Sequence, residues 1–102
     1  MNGITIKYLQ EYLKSKELEF GSKEAFLKLI EEVGELADAM LRNPDRATDE
    51  TNFKGSIEEE LCDVIALCLH IANSYDIDVE KWIPLKEKIH NERWGNSVIF
   101  DP

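Results

Sequence analysis

The sequence predicts an all-α fold, a compact helical bundle of about four main helices, and three observations carry that prediction. Apolar residues recur at helical spacing along almost the whole chain, clean two-residue alternation is missing, and no Asn-Gly hairpin signal separates two apolar runs.

The elements follow in order. Helix one is expected over 4–19, with Ile6, Leu9, Leu13 and Tyr12 on its inner stripe, and it ends at Phe20-Gly21. Ser22 can cap helix two, 23–42, whose stripe is Leu29, Val33, Leu36 and Met40. That helix stops at Asn43-Pro44, because the residue before a proline avoids helical dihedrals. Residues 43–55, NPDRATDETNFKG, read as a polar loop of a length common in lids and ligand contacts. Ser56 and Glu59 form a capping box for helix three, 57–75, with Ile57, Leu61, Val64, Ile65, Cys68, Ile71, Ala72 and Tyr75 on one broad arc. Asp78 can cap helix four, but Pro84 places the start of its regular part at 84, from which it runs to 93. The tail WGNSVIFDP adds a short β-prone run, Val98 to Phe100. With no internal repeat and 102 residues, the whole chain, 1–102, is expected to be one domain.

A domain this small has a marginal core, and the apolar surface of helix three is broader than it can cover, so a homo-oligomer is expected. A formal charge of -9 and the lack of a basic cluster argue against direct nucleic-acid binding. A small anionic ligand would need a divalent cation between itself and these carboxylates. No apolar run reaches membrane-spanning length and the N-terminus lacks a signal core, so a soluble cytoplasmic protein is expected, with no membrane partner. Cys62 and Cys68 lie about 120° apart around one helix and cannot bridge within it, which suits a reducing compartment. Two histidines and no CxxC leave a Cys/His zinc site without ligands.

The chemistry lies in the acids. On helix three, Glu60 falls inside the apolar arc and Asp63 at its edge on the same side; on helix two, Glu32 and Glu35 flank the stripe three residues apart. An ionised carboxylate beside apolar surface is costly unless a cation, an arginine or several donors satisfy it. Antiparallel packing of the two helices would bring all four together, a hard oxygen set suited to Mg²⁺ or Mn²⁺. Glu31, Glu58 and Glu59 read instead as a solvated face. Gly34, a poor helix former, is expected where close helix packing needs room.

EEVGELA, then a polar loop, then EELCDVIALCLHIA, resembles the MazG-like members of the all-α nucleoside triphosphate pyrophosphohydrolase superfamily. The resemblance rests on Glu32-Val-Gly-Glu35 and Glu60-Leu-Cys-Asp63. It implies Mg²⁺-dependent hydrolysis of a (d)NTP to (d)NMP and pyrophosphate, with water attacking the α-phosphorus and the metal held by Glu32, Glu35, Glu60 and Asp63 as the catalytic set. It also implies a dimer or dimer of dimers, and basic and amide residues of the last helix on the phosphates, for which Lys86, Arg93 and Asn91 are the candidates. Phe53 is the candidate for base stacking, whereas Phe20 and Phe26 read as core.

Two other readings are weighed. A di-iron bundle needs Glu-x-x-His on two helices, and only Glu87-Lys-Ile-His90 has that form. A noncatalytic helical interaction module would keep the fold without turnover. Base and sugar preference, and the choice among MazG-like, dUTP-specific and phosphoribosyl-ATP-specific members, lie in segments the motifs do not reach.

Overall fold

A computed structural model describes residues 3–16, 20–41, 44–94 and 100–101. It contains four helices, α1 (Ile6–Ser15), α2 (Ser22–Leu41), α3 (Ile57–Ser74) and α4 (Val79–Trp94), and no strand among the described residues. The expected β-prone run at 98–100 lies largely outside them, as do 17–19 at the end of helix one.

Local chemistry sets the helix ends. Thr5 Oγ1 accepts from Tyr8 N–H at 3.0 Å, and Ser56 Oγ accepts from Glu59 N–H at 3.2 Å, so both side chains cap a first turn. The capping box differs from expectation in one detail: the Glu59 carboxylate accepts from Gly55 N–H at 3.0 Å, one residue farther back than Ser56. Ser22 is the first helical residue of α2 rather than its cap, and Ala25 N–H donates to Gly21 carbonyl.

Helix α4 starts five residues before the expected Pro84. Asp78 supplies the start, with its carboxylate and carbonyl accepting from Lys81 N–H and its carbonyl also from Trp82 N–H. Pro84 sits inside the helix past its first turn, so the bond that an N–H there would make to the Glu80 carbonyl is missing while the helix runs on to Trp94. At the far end of α3, Ile77 N–H reaches Ala72 carbonyl and Asp76 N–H reaches Asn73 carbonyl, with Asp76 at φ 54. This is a Schellman ending in which an aspartate takes the left-handed position usual for glycine.

Helices α2 and α3 make the most extensive contact and run antiparallel. The start of α2 meets the end of α3 through Phe20 carbonyl and His70 Nε2 at 3.0 Å, and Ser22 Oγ and Tyr75 Oη at 3.3 Å. The opposite ends are joined through Asp45, whose N–H donates to Ala39 carbonyl and whose carbonyl accepts from Ile57 N–H.

Gln10, absent from the expected stripe of helix one, is one of two buried residues of α1. Its side-chain amide donates to Asn73 Oδ1 and Ile77 carbonyl, both at 2.9 Å, and its Oε1 accepts from Val79 N–H at 3.1 Å. Asn73 Nδ2 returns a bond to Gln10 carbonyl at 2.9 Å, so one polar side chain ties α1 to the α3–α4 turn.

The buried apolar set is small: Leu13, Ala25, Ala39, Leu69 and Ala72. Several residues expected on inner stripes face outward instead, among them Tyr12, Val33, Met40, Leu61, Ile65, Cys68 and Tyr75. Of the arc expected on α3, Ala72 is turned inward and Leu61 and Ile65 outward, while the buried leucine, Leu69, is not one of its residues. No helix among the described residues is long and apolar enough to cross a membrane.

Candidate metal centre

Glu32, midway along α2, and Glu60, in the first turn of α3, meet where the two antiparallel helices cross near the loop end of the pair. Asp63 joins them one turn farther along α3. Each of the three offers a carboxylate oxygen, and those oxygens lie within 4.8 Å of one another. Glu60 is 6% exposed, Glu32 is half-buried and Asp63 is partly exposed. Glu35 is exposed and stands beside the trio, near enough to act electrostatically on all three.

The crowding shows in the protonation of the acids. A hydrogen bond to Glu60, available to the protonated form, pushes the Glu32 carboxyl up to about 7, aided by burial and by the charges of Glu35, Glu60 and Asp63. The bond from Glu32 pulls Glu60 down, but burial, Glu35 and the Asp63 charge outweigh it and leave Glu60 raised. Burial raises Asp63, with the charges of Glu59 and Glu35 adding to it. Even with one shared proton, Glu32 Oε2 and Glu60 Oε2 are buried without a hydrogen-bond partner.

Two orphaned oxygens in a cluster of like charges fit a hard divalent cation. A cation would supply the partner each oxygen lacks and offset the repulsion. Among the described residues, this is the one group of three or more ligand-type side chains so arranged.

Because the folded Glu32 pKa lies above its ordinary value of 4.5, the folded protein holds a proton that the unfolded chain releases between about pH 4.5 and 7. Stability of the metal-free protein is therefore expected to fall as pH rises through that window, by about 2 kcal/mol allowing for partial exposure. Melting curves at pH 5, 6 and 7 check this. Added Mg²⁺ should flatten the slope, because bound metal replaces the proton.

An open cleft of about 690 Å³ adjoins the trio. Glu31, Glu35, Asp38, Asp45 and Glu60 line it, together with the small residues Gly34, Ala39 and Gly55, and among the described residues no lysine or arginine does. The loop forms the wall opposite α2. Glu58 accepts from Arg46 Nε at 2.9 Å and from Ala47 N–H at 3.0 Å, and Glu59 holds Gly55. Glu58 and Glu59 thus pin the loop rather than facing solvent as expected. The signal was present in the sequence, since two acids in the first turn of a helix can reach back to backbone N–H groups before it.

The phosphate candidates stand elsewhere in the chain. Helix α4 packs on α1, and Lys86 and Arg93 border an open groove of about 550 Å³ with Trp82, Leu85, Ile89 and His90. Asn91 is half-buried on the same helix. Phe53 is 46% exposed in the loop and is not among the residues lining the acidic cleft.

The model of the MazG nucleotide pyrophosphohydrolase domain matches residues 20–93, which hold α2, α3 and nearly all of α4. The chain belongs to the MazG family. Two crystal structures of iMazG from Vibrio DAT 722 have the same fold. The Ntag-iMazG form is 31% identical, with a TM-score of 0.77, and the alignment covers 91% of this chain and all of that one. The Ctag-iMazG form is 33% identical, with a TM-score of 0.74, covering 86% of this chain and 99% of that one. No curated protein matched. The all-α fold expected from helical periodicity and the family that the acid motifs resemble are thereby shown for this chain.

Proposed function

We propose that this protein is an Mg²⁺-dependent nucleoside triphosphate pyrophosphohydrolase that converts a (d)NTP to a (d)NMP and pyrophosphate, working in the cytoplasm as a dimer or dimer of dimers. The observation that carries the reading is the pair of buried, partnerless oxygens of Glu32 and Glu60 inside a three-carboxylate cluster. Glu32, Glu60 and Asp63, with Glu35 beside them, would hold the metal, Mn²⁺ being an acceptable substitute. When bound, such a cation supplies charge for the phosphates and acidifies a water molecule.

The residues of the chain divide the remaining work. The position of Glu60 at the N-terminal turn of α3 favours its ionised form once a cation displaces the shared proton. Glu35, exposed at the rim, would accept a proton from incoming water. Lys86, Arg93 and Asn91 are the proposed phosphate contacts. Among the described residues the acidic cleft has no lysine or arginine in its lining, and the triphosphate would meet positive charge on α4, from this chain or a second copy.

Incubation of the purified protein with individual canonical and modified nucleoside triphosphates and Mg²⁺, followed by separation of the products, tests the reading. Monophosphate with pyrophosphate is expected, and no release with chelator present. Diphosphate with inorganic phosphate would place the cut at the wrong bond. No turnover of any triphosphate would favour a noncatalytic interaction module.

A further inference from the structure

Gln10 is 6% exposed, and both the nitrogen and the oxygen of its side-chain amide are engaged. Two of the three bonds go to backbone on either side of a single residue. Nε2 donates to the Ile77 carbonyl at 2.9 Å and Oε1 accepts from Val79 N–H at 3.1 Å, so the amide grips the two peptide groups that flank Asp78. Helix α4 springs from Asp78, whose carbonyl accepts from Trp82 N–H at 3.2 Å in the first turn. With both flanking peptide planes held, the dihedrals of Asp78 are fixed from α1, and with them the direction in which α4 leaves α3.

Among the described residues, α4 packs on α1 and has no comparable packing on α2 or α3. A second tie also runs to α1, where Lys7 N–H donates to Glu80 Oε1 at 3.3 Å. The carboxylates of the candidate metal centre belong to the other pair, α2 and α3, and α1 packs on α3 as well. Helix α1 is therefore the brace between the helix with the proposed phosphate contacts and the pair with the proposed metal ligands. The lever it controls is long. At 1.5 Å per residue Arg93 lies about 21 Å along the helix from Val79, so a tilt of about 10° at Asp78 displaces it by about 4 Å. A misplacement of about 1 Å is enough to slow a reaction that depends on alignment.

We propose that Gln10 is a positioning residue for the reaction: its grip on either side of Asp78 sets where Lys86 and Arg93 stand relative to the carboxylates they serve. This rests on the pyrophosphohydrolase reading and adds to it a residue that touches neither substrate nor metal. A glutamine that only satisfied a buried turn would contribute to stability and leave the handling of substrate unchanged, so KM separates the two roles.

Three variants test it. Gln10→Met keeps the length of the side chain and removes the grip. Val79→Pro removes only the N–H that Oε1 accepts, at the first residue of α4, where proline is well tolerated. Leu13→Val, at a buried apolar position one turn along α1, reports the effect of lost stability alone. Steady-state kinetics with saturating Mg²⁺ and a deoxynucleoside triphosphate that the wild type hydrolyses are run below the melting transition of every variant. Gln10→Met and Val79→Pro are each expected to raise KM about tenfold with kcat within about threefold of wild type, while Leu13→Val leaves both within about twofold. Calorimetric Mg²⁺ affinity of Gln10→Met is expected within about twofold of wild type, and Arg93→Ala is expected to raise KM less in the Gln10→Met background than in wild type. Wild-type KM in Gln10→Met or in Val79→Pro would overturn the proposal while leaving the enzymatic reading intact, and Val79→Pro decides alone should Gln10→Met not fold. So would an equal rise in Leu13→Val, a loss confined to kcat or to Mg²⁺ affinity, or a full additional effect of Arg93→Ala, each of which would return Gln10 to general stability or to the α2–α3 pair. A wild-type protein that hydrolyses no triphosphate would remove the enzymatic reading and the positioning role together.

Discussion

Glu60→Gln is expected to lower kcat/KM about a thousandfold and, in the same protein, to raise the melting temperature of the metal-free form. The two effects share one cause. Glu60 is 6% exposed, has a partnerless oxygen, and is pressed by Glu32, Glu35 and Asp63. An amide of nearly the same shape removes a buried negative charge and offers Glu32 a donor that needs no shared proton, which relieves about 1–2 kcal/mol of repulsion and desolvation. The same change would delete one of the proposed metal ligands, and a lost ligand removes roughly 4 kcal/mol of transition-state stabilisation. Asp63→Asn is expected to lose activity similarly with a smaller gain in stability, because Asp63 is more exposed than Glu60. Steady-state kinetics with saturating Mg²⁺, beside metal-free melting curves, check both. A stable variant with wild-type turnover would remove Glu60 from the metal set; a destabilised variant would make the acid a structural partner.

The acids were legible because their meaning depends on spacing. Residues three apart on a helix share a side wherever the helix packs, so Glu32 with Glu35 and Glu60 with Asp63 could be paired before any tertiary contact was known. The antiparallel pairing of α2 and α3 then needed only the connecting loop. Gln10 was not legible, since nothing local distinguishes a glutamine that satisfies a distant turn from one in water. The start of α4 was missed because Pro84 was weighed against the cap at Asp78 and given too much weight. Glu58 is a middle case: its place in a first helical turn allows a reach back to the loop, but its partner Arg46 is visible only once the loop has folded. The helical periodicity was read correctly, but periodicity says which residues form a stripe and not what covers it. Leu61, Ile65 and Val33 belong to stripes that this chain alone leaves bare.

Ile65→Asp is expected to dissociate the proposed dimer and to lower the melting temperature by more than about 10 °C. A compact protein of 11.8 kDa exposes about 5,900 Å² and has a radius of gyration near 13 Å. This chain exposes 8379 Å² and has a radius of gyration of 16.1 Å. The excess, about 2,500 Å², is on the scale of what one protomer buries in a large obligate interface. Its apolar part includes Leu61 and Ile65 on α3 and Ile30 and Val33 on α2, while among the described residues the buried apolar set has two leucines and three alanines. Were Ile65 a free surface residue at its 52% exposure, aspartate there would change stability by no more than about 0.5 kcal/mol. Under a second copy, it would place an unpaired charge in an apolar interface, at about 3 kcal/mol or more per site, and two sites per dimer double it. Sedimentation equilibrium of wild type and variant, with melting temperature followed against protein concentration, separates the cases. A wild-type melting temperature that rises with concentration, and a variant that sediments as an 11.8 kDa species with much lower stability, is the expected pair. A monomeric wild type, or a variant that keeps both its mass and its melting temperature, would show that the bare stripes of α2 and α3 are not covered by a second copy.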